Sequence, residues 1–296
     1  MFHGCGTALV TPFRRDQSLD EPALRKLVRR QVEAGINFLV PCGTTGESPT
    51  LEHEEHLRVV ELTLAEANGK VPVLAGAGGY NTKKVIALAR ELERMGVQGI
   101  LSVTPYYNKP SQEGLYQHYK AISEAIALPI VVYSVQGRTG VNVEPSTLLR
   151  LSEFKNIVGV KEASGNLAQM SRILSLLPES FLVFSGDDVL TLPLLGLGGH
   201  GLISVASNQI PAEMTAMVAA ALSGDFAAAR KAQKKYQDLM DINFVESNPI
   251  PVKYAMSVMG LLEPVWRLPM TPPQPESKQK IDGVLKKSGL LAGAHA

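Results

Sequence analysis

Two spacings of apolar residue organise this chain. Short, nearly unbroken apolar runs recur at 4–13, 38–43, 71–78, 99–107, 129–135, 157–164, 181–188 and 201–208. A strand buried on both faces of a parallel sheet reads this way, whereas a strand with one wet face alternates. Between the runs, apolar residues recur every three or four positions, which is the helical period. Residues 20–34 put Leu24, Leu27, Val28 and Val32 on one stripe, with Gly35 to close the helix. Residues 52–67 repeat the pattern with Leu57, Val60, Leu64 and Ala67. A third helix is expected over 82–95, capped by Thr82 and stopped at Gly96, and a fourth over 111–126, opened by Ser111 with Glu113 in its first turn. The spacing leaves room for one crossover helix after each strand, as parallel pairing requires.

Eight such units predict a (β/α)8 barrel, the TIM barrel, rather than an open doubly wound sheet. The open sheet usually has fewer strands and a glycine-rich turn after the first. Here Gly4-Cys5-Gly6 is expected to precede the first strand, and no GxGxxG follows. Beyond residue 223 the strand runs cease. Residues 225–241 are Ala-rich and helical, 250–260 form a short helix, 268–275 a Pro-rich connector and 276–291 a last helix. The expected organisation is a catalytic barrel over 1–224 and a C-terminal helical domain over 225–296.

Composition narrows the class. Hydrophobic residues are 45% and charged residues 19%, values of a folded globular chain. The net charge of +1 argues against nucleic acid and against an acidic membrane surface as partners. The longest apolar stretches, such as 214–222, fall short of the roughly 20 residues of a bilayer span. Arg14, Arg15 and Asp16 follow the first apolar run too soon for a secretory signal, so a cytoplasmic protein is expected. Cys5 and Cys42 form no Cys/His cluster, and no metal site or disulfide framework is expected.

In a barrel of this type the chemistry projects from the C-terminal strand ends. The sixth run ends in Val158-Gly159-Val160-Lys161-Glu162. A lysine there would be partly desolvated, which disfavours the ammonium and frees an amine to attack a carbonyl. It could equally snorkel outward or pair with Glu162. The second run leads into Gly43-Thr44-Thr45-Gly46-Glu47-Ser48, whose backbone N–H groups and hydroxyls suit a carboxylate; a plain loop and helix cap is the alternative. Tyr106, Tyr107 and Tyr133 could pass protons or simply pack, and Arg138 could clamp a carboxylate or lie on the surface. His3, His53, His56, His118, His200 and His295 make no metal constellation, and His53 and His56 are expected at a surface or interface. Asp187-Asp188 could hold a cation, but a helix N-cap fits better.

Gly43-Thr44-Thr45-Gly46-Glu47, Thr104-Pro105-Tyr106-Tyr107, Tyr133, Arg138, Val158-Gly159-Val160-Lys161-Glu162, Gly198-Gly199-His200-Gly201-Leu202-Ile203-Ser204 and Asn248-Pro249-Ile250-Pro251-Val252-Lys253 occur in that order. Jointly they resemble the dihydrodipicolinate synthase family, within the pyruvate-dependent class I aldolases that include N-acetylneuraminate lyase. The resemblance runs from Met1 to about Leu291. It implies a barrel with a C-terminal helical domain, assembled as a homotetramer of two tight dimers. It implies that Lys161 forms a Schiff base with pyruvate, and that the enamine adds to L-aspartate 4-semialdehyde in the first committed step of diaminopimelate and lysine biosynthesis. Thr45, with the backbone at Ile203, would hold the pyruvate carboxylate. Tyr133 would donate and accept protons. Thr44 and Tyr107 would complete a relay, Tyr107 reaching across the tight dimer, and Arg138 would bind the semialdehyde carboxylate. The iminium is itself the electron sink, so no cofactor is called for. The alternative is another pyruvate aldolase, cleaving N-acetylneuraminate or a 2-keto-3-deoxy sugar acid; Thr44 beside Thr45, and Arg138, favour the semialdehyde.

Two departures from the family pattern stand out. The loop after Tyr133 reads Ser134-Val135-Gln136-Gly137-Arg138 where Asn and Pro are usual, which predicts a looser backbone. At the inhibitory lysine site of many bacterial members, Ser48, His53, His56 and Tyr106 match. Tyr80 and Lys84 replace an asparagine and a glutamate there, and Pro49 also differs. A lysine facing a lysine ligand exchanges attraction for repulsion, which predicts weak or absent inhibition.

Overall fold

A computed structural model describes residues 2–291; Met1 and 292–296, including His295, lie outside the described residues. Eight parallel strands are present: β1 (Gly4–Ala8), β2 (Phe38–Val40), β3 (Leu74–Gly76), β4 (Gly99–Val103), β5 (Ile130–Ser134), β6 (Ile157–Glu162), β7 (Leu182–Ser185) and β8 (Gly201–Ser204). Around them lie α1 (Glu21–Glu33), α2 (His53–Ala67), α3 (Thr82–Met95), α4 (Gln112–Ala125), α5 (Gln136–Thr139), α6 (Pro145–Leu151), α7 (Leu167–Leu176), α8 (Thr191–Gly196) and α9 (Pro211–Leu222). Hydrogen-bonded neighbours run β2-β1-β8-β7-β6-β5-β4-β3. The ring closes between β2 and β3 through Leu39 N–H to Pro72 O (3.0 Å) and Gly76 N–H to Pro41 O (2.9 Å). The expected (β/α)8 barrel is what the chain forms.

Strand alternation sorts the apolar runs into two cores. Cys5, Leu39, Ala75, Ile100, Val132, Val160, Val183 and Leu202 face outward to the helices. Ala8, Phe38, Val40, Leu74, Leu101, Val131, Tyr133, Phe184 and Ile203 fill the barrel interior. Each wholly buried Leu, Val or Phe contributes about 1.5–3 kcal/mol, so both faces of every strand add stability. Gly4 and Gly6 lie inside β1 rather than before it; Gly6 leaves the space that the Phe38 ring occupies. The N-cap of α3 is Asn81, not Thr82: its side chain accepts from Lys83 and Lys84 N–H. Thr82 instead bonds the buried His118 ring (2.8 Å).

Three further helices follow: α10 (Phe226–Ile242), α11 (Ile250–Val258) and α12 (Pro275–Lys287). They pack on one another, and α10 also packs on α9. Val252, Met256 and Leu262 join Val10, Leu27 and Val205 in a small core that seats α11 on the barrel. Among the described residues no helix is long and apolar enough to cross a membrane. No group of three or more His, Cys, Asp or Glu among them could hold a metal.

Candidate active site

Lys161 sits one residue before the end of β6, level with Tyr133 on β5 and Phe184 on β7. Alternation therefore turns it into the barrel, and it is only 5% exposed. Its Nζ lies 4.2 Å from the centroid of the Tyr133 ring. Glu162 points the other way, so the outward and Glu162-paired alternatives for Lys161 both fall. The Glu162 carboxylate is buried and accepts from Ser164 N–H (2.6 Å) and Gln169 Nε2 (2.8 Å). Gly186, after β7, leaves room for the amine's stem: a Cβ there would stand 2.6 Å from Ala163 Cβ and 3.1 Å from Lys161 Cε. Asp187 lies near the same lysine. Burial raises its carboxyl above the usual carboxylate range, against the Val189 N–H and the Lys161 charge.

The loop after β2 brings Thr44 and Thr45 to the same mouth. It approaches β3 closely: a Cβ on Gly76 would stand 2.0 Å from the Cys42 carbonyl oxygen. Thr45 is buried and its Oγ1 accepts from Asn248 Nδ2 (2.9 Å). Glu47 is buried too, in the left-handed region at φ 53°. Its Oε1 meets Lys253 Nζ at 2.5 Å, with both side chains essentially inaccessible. Burial pushes the Lys253 ammonium down from its ordinary value, and Glu47 opposes that shift. The Phe13 ring lies against Lys253 Nζ (4.4 Å) and the Arg267 guanidinium (4.2 Å). Arg267 continues to Glu55 through two bonds and to the Thr50 carbonyl (2.8 Å).

Arg138 lies on α5, the turn after β5. The turn closes with Arg138 and Thr139 N–H to Val135 O, and the Thr139 hydroxyl donates to Val135 O. The loop predicted to be loose is thus a hydrogen-bonded helical turn. Arg138 is exposed, but its Nη2 is held by the Asn248 carbonyl at 3.0 Å. Ile203 sits inside the barrel on β8, behind the loop that Asp188 braces. Asp188 was expected as a helix cap. Its carboxylate instead accepts from Ser204 Oγ (2.5 Å) and from Val205 and Ala206 N–H, while the N-cap of α8 is Leu190.

A cavity of about 500 Å³ opens beside the Tyr133 ring; Lys161, Thr45 and Ile203 are not among its lining residues. Thr44, Tyr133, Arg138 and Asn248 line it, and so do Ser48, His53, His56 and Tyr106. His56 is buried rather than superficial: burial lowers its pKa to about 4, and its Nε2 lies 3.0 Å from the Gly76 carbonyl. His53 is half exposed beside Glu91 (3.0 Å). Tyr80 stacks edge-on against Tyr106 at 5.2 Å and remains exposed, as does Lys84. Tyr107 is not brought to Tyr133 within this chain. It stands 92% exposed on left-handed backbone, φ 67°.

Thr44, Tyr133 and Arg138 thus share the cavity, Lys161 reaches the Tyr133 ring, Thr45 reaches Asn248, Ile203 stays in the barrel core, and Tyr107 projects away. Residue-by-residue reading assigned nothing to Asn248, Glu47 and Lys253, although all three lie in the quoted motifs. One signal was available: a lysine inside the apolar stretch Ile250-Pro251-Val252-Lys253-Tyr254-Ala255-Met256 demands a buried partner.

The chain is similar to known proteins over nearly its whole length. The model of the dihydrodipicolinate synthetase family matches residues 1–288. A 4-hydroxy-tetrahydrodipicolinate synthase of Koribacter versatilis is 53% identical over 292 residues, 98% of this chain and 97% of that protein. The dihydrodipicolinate synthase structure from Thermotoga maritima superposes with a TM-score of 0.96 at 48% identity, covering 98% of this chain and 100% of the other. A chloride-inhibited dihydrodipicolinate synthase from Acinetobacter baumannii, complexed with pyruvate, gives 0.97 at 42% identity, again over 98% and 100%.

Proposed function

Because the chain belongs to the dihydrodipicolinate synthetase family, we propose that its barrel mouth condenses pyruvate with L-aspartate 4-semialdehyde. The enzyme is a lyase of the class I aldolase type, a 4-hydroxy-tetrahydrodipicolinate synthase acting in diaminopimelate and lysine biosynthesis. The observation that carries the reading is the Lys161 amine, buried inside the barrel 4.2 Å from the Tyr133 ring.

Lys161 Nζ attacks the pyruvate C2 carbonyl and water leaves, giving an iminium. Tyr133 serves as the proton donor and acceptor for that loss and for removal of a methyl proton, which yields the enamine. The enamine carbon attacks the semialdehyde carbonyl, and the resulting alkoxide takes up a proton. The substrate's own amine then displaces Lys161 at C2, closing the ring and regenerating the free amine. The Thr45 hydroxyl and the backbone at Ile203 hold the pyruvate carboxylate, and Arg138 takes the semialdehyde carboxylate. A sugar acid needs hydroxyl partners more than this second cationic clamp, which supports the semialdehyde over the other pyruvate aldolases. Thr44 and Tyr107 complete the proton path, Tyr107 coming from a second copy in a tight dimer, two of which make a homotetramer. Its outward position and 92% exposure support that assignment.

Borohydride treatment with pyruvate, read by mass spectrometry, should leave a reduced pyruvyl adduct on Lys161. The coupled assay with both substrates should show turnover that Lys161→Ala lowers by about a thousandfold or more. Absence of the adduct would overturn the reading. Tyr80 against Tyr106, with exposed Lys84 four residues on, supports insensitivity to L-lysine; clear inhibition by sub-millimolar lysine would refute it.

A further inference from the structure

Asn248 is buried, lines the cavity, and belongs to the C-terminal helical region rather than to any barrel strand. Its Nδ2 donates to Thr45 Oγ1 at 2.9 Å across 203 residues of sequence. Its main-chain carbonyl accepts from Arg138 Nη2 at 3.0 Å, and Lys253 one turn further on is locked to Glu47. The backbone at residue 248 is thus pinned from the barrel side. The Asn248 Oδ1 is buried with no partner.

We propose that Asn248 is a positioning residue for the first substrate: by donating to Thr45 Oγ1 it makes that oxygen an acceptor and turns the hydroxyl proton toward the bound carboxylate. A hydroxyl has one proton to give. With the opposite amide orientation Thr45 would donate to Asn248 and present only lone pairs to an anion. The inference rests on Thr45 holding the pyruvate carboxylate, as proposed above. It adds a residue from outside the barrel to the recognition of pyruvate. A hydrogen bond to a charged group is stronger than one between neutral groups, so a misdirected hydroxyl is costly specifically for the anionic substrate.

The test is a steady-state comparison of Asn248→Ala, Asn248→Asp, Thr45→Val and the double variant Thr45→Val/Asn248→Ala with the unaltered enzyme. The isosteric aspartate replaces the donor by an acceptor and should raise the pyruvate KM by about tenfold or more, with the semialdehyde KM within about twofold. The Asn248→Ala loss should vanish in the Thr45→Val background, because the asparagine acts through that hydroxyl. Additive losses, or both KM values rising together, would overturn the inference, as would an unchanged pyruvate KM. If Asn248→Ala fails to fold, Asn248→Asp carries the same test through Thr45→Val/Asn248→Asp. Borohydride trapping on the unaltered enzyme separates the two claims: an adduct with additive losses sinks the Asn248 inference alone, and no adduct sinks the underlying reading with it.

Discussion

A single residue step along β6 decides where the reactive amine sits. Lys161 faces the interior and Glu162 the exterior because strand side chains alternate, so the lysine is buried without a fixed carboxylate partner. Gly186 is the counterpart that keeps this space open. Gly186→Ala should slow Schiff-base formation by about tenfold or more, because its Cβ would crowd Ala163 and the lysine stem; pre-steady-state trapping with borohydride measures it. Two buried histidines set the acid limit. His56 and His118 are both pushed down to about 4 by burial, from 6.5. Between those values the unfolded chain binds protons that the folded chain refuses. Stability is therefore complete above pH 6.5 and is lost as pH falls toward 4, on the order of 3 kcal/mol for each histidine. Thermal melts across pH 7 to 4 should show the drop, and replacing His118 by an uncharged residue should flatten it. The inward lysine was legible as a possibility, since its neighbours are apolar. Asn248 was not, because its partner is fixed only when remote segments meet.

At the scale of the element, the strands begin where the apolar runs begin, to within one residue for all but β3, which starts at Leu74. Their ends were overestimated because the loops that follow, such as the one carrying Thr104 and Tyr106, continue apolar or bulky. Those loops are the functional part, and local periodicity cannot separate them from strand. The loop bearing Thr44 and Thr45 is held by the buried Glu47–Lys253 pair together with Thr11 Oγ1, which donates to Gly46 O at 2.7 Å. Lys253→Met should destabilise the protein by about 3–5 kcal/mol, since it strands a charge in the interior; Glu47→Leu/Lys253→Met should recover most of the loss. Urea unfolding midpoints distinguish the two. Gly76→Ala should be as damaging for a steric reason, because the Cys42 carbonyl already occupies the place of its Cβ.

Across the whole molecule the barrel was readable from eight repeats of one pattern, while the outward placing of Tyr107 was not, because nothing in its local pattern tells an exposed tyrosine from a packed one. If Tyr107 serves a second copy, mixing two inactive variants restores activity. A dimer of Lys161→Ala with Tyr107→Phe contains one site with both groups intact. Subunit exchange should then return a fraction of the parental rate, whereas each variant alone stays low; no recovery after verified exchange would exclude the crossed arrangement. The Phe13 ring clasped by Lys253 and Arg267 joins the first residues of the chain to late ones, which ties the site to the order of synthesis. A nascent polypeptide carries Lys161 before β7 and β8 exist to enclose it, and Glu47 in the threonine-bearing loop lacks its cationic partner until Lys253 has been made. The nucleophile is therefore made well before the residues that brace the substrate-holding loop, and the mouth is complete only once both ends of that order have met.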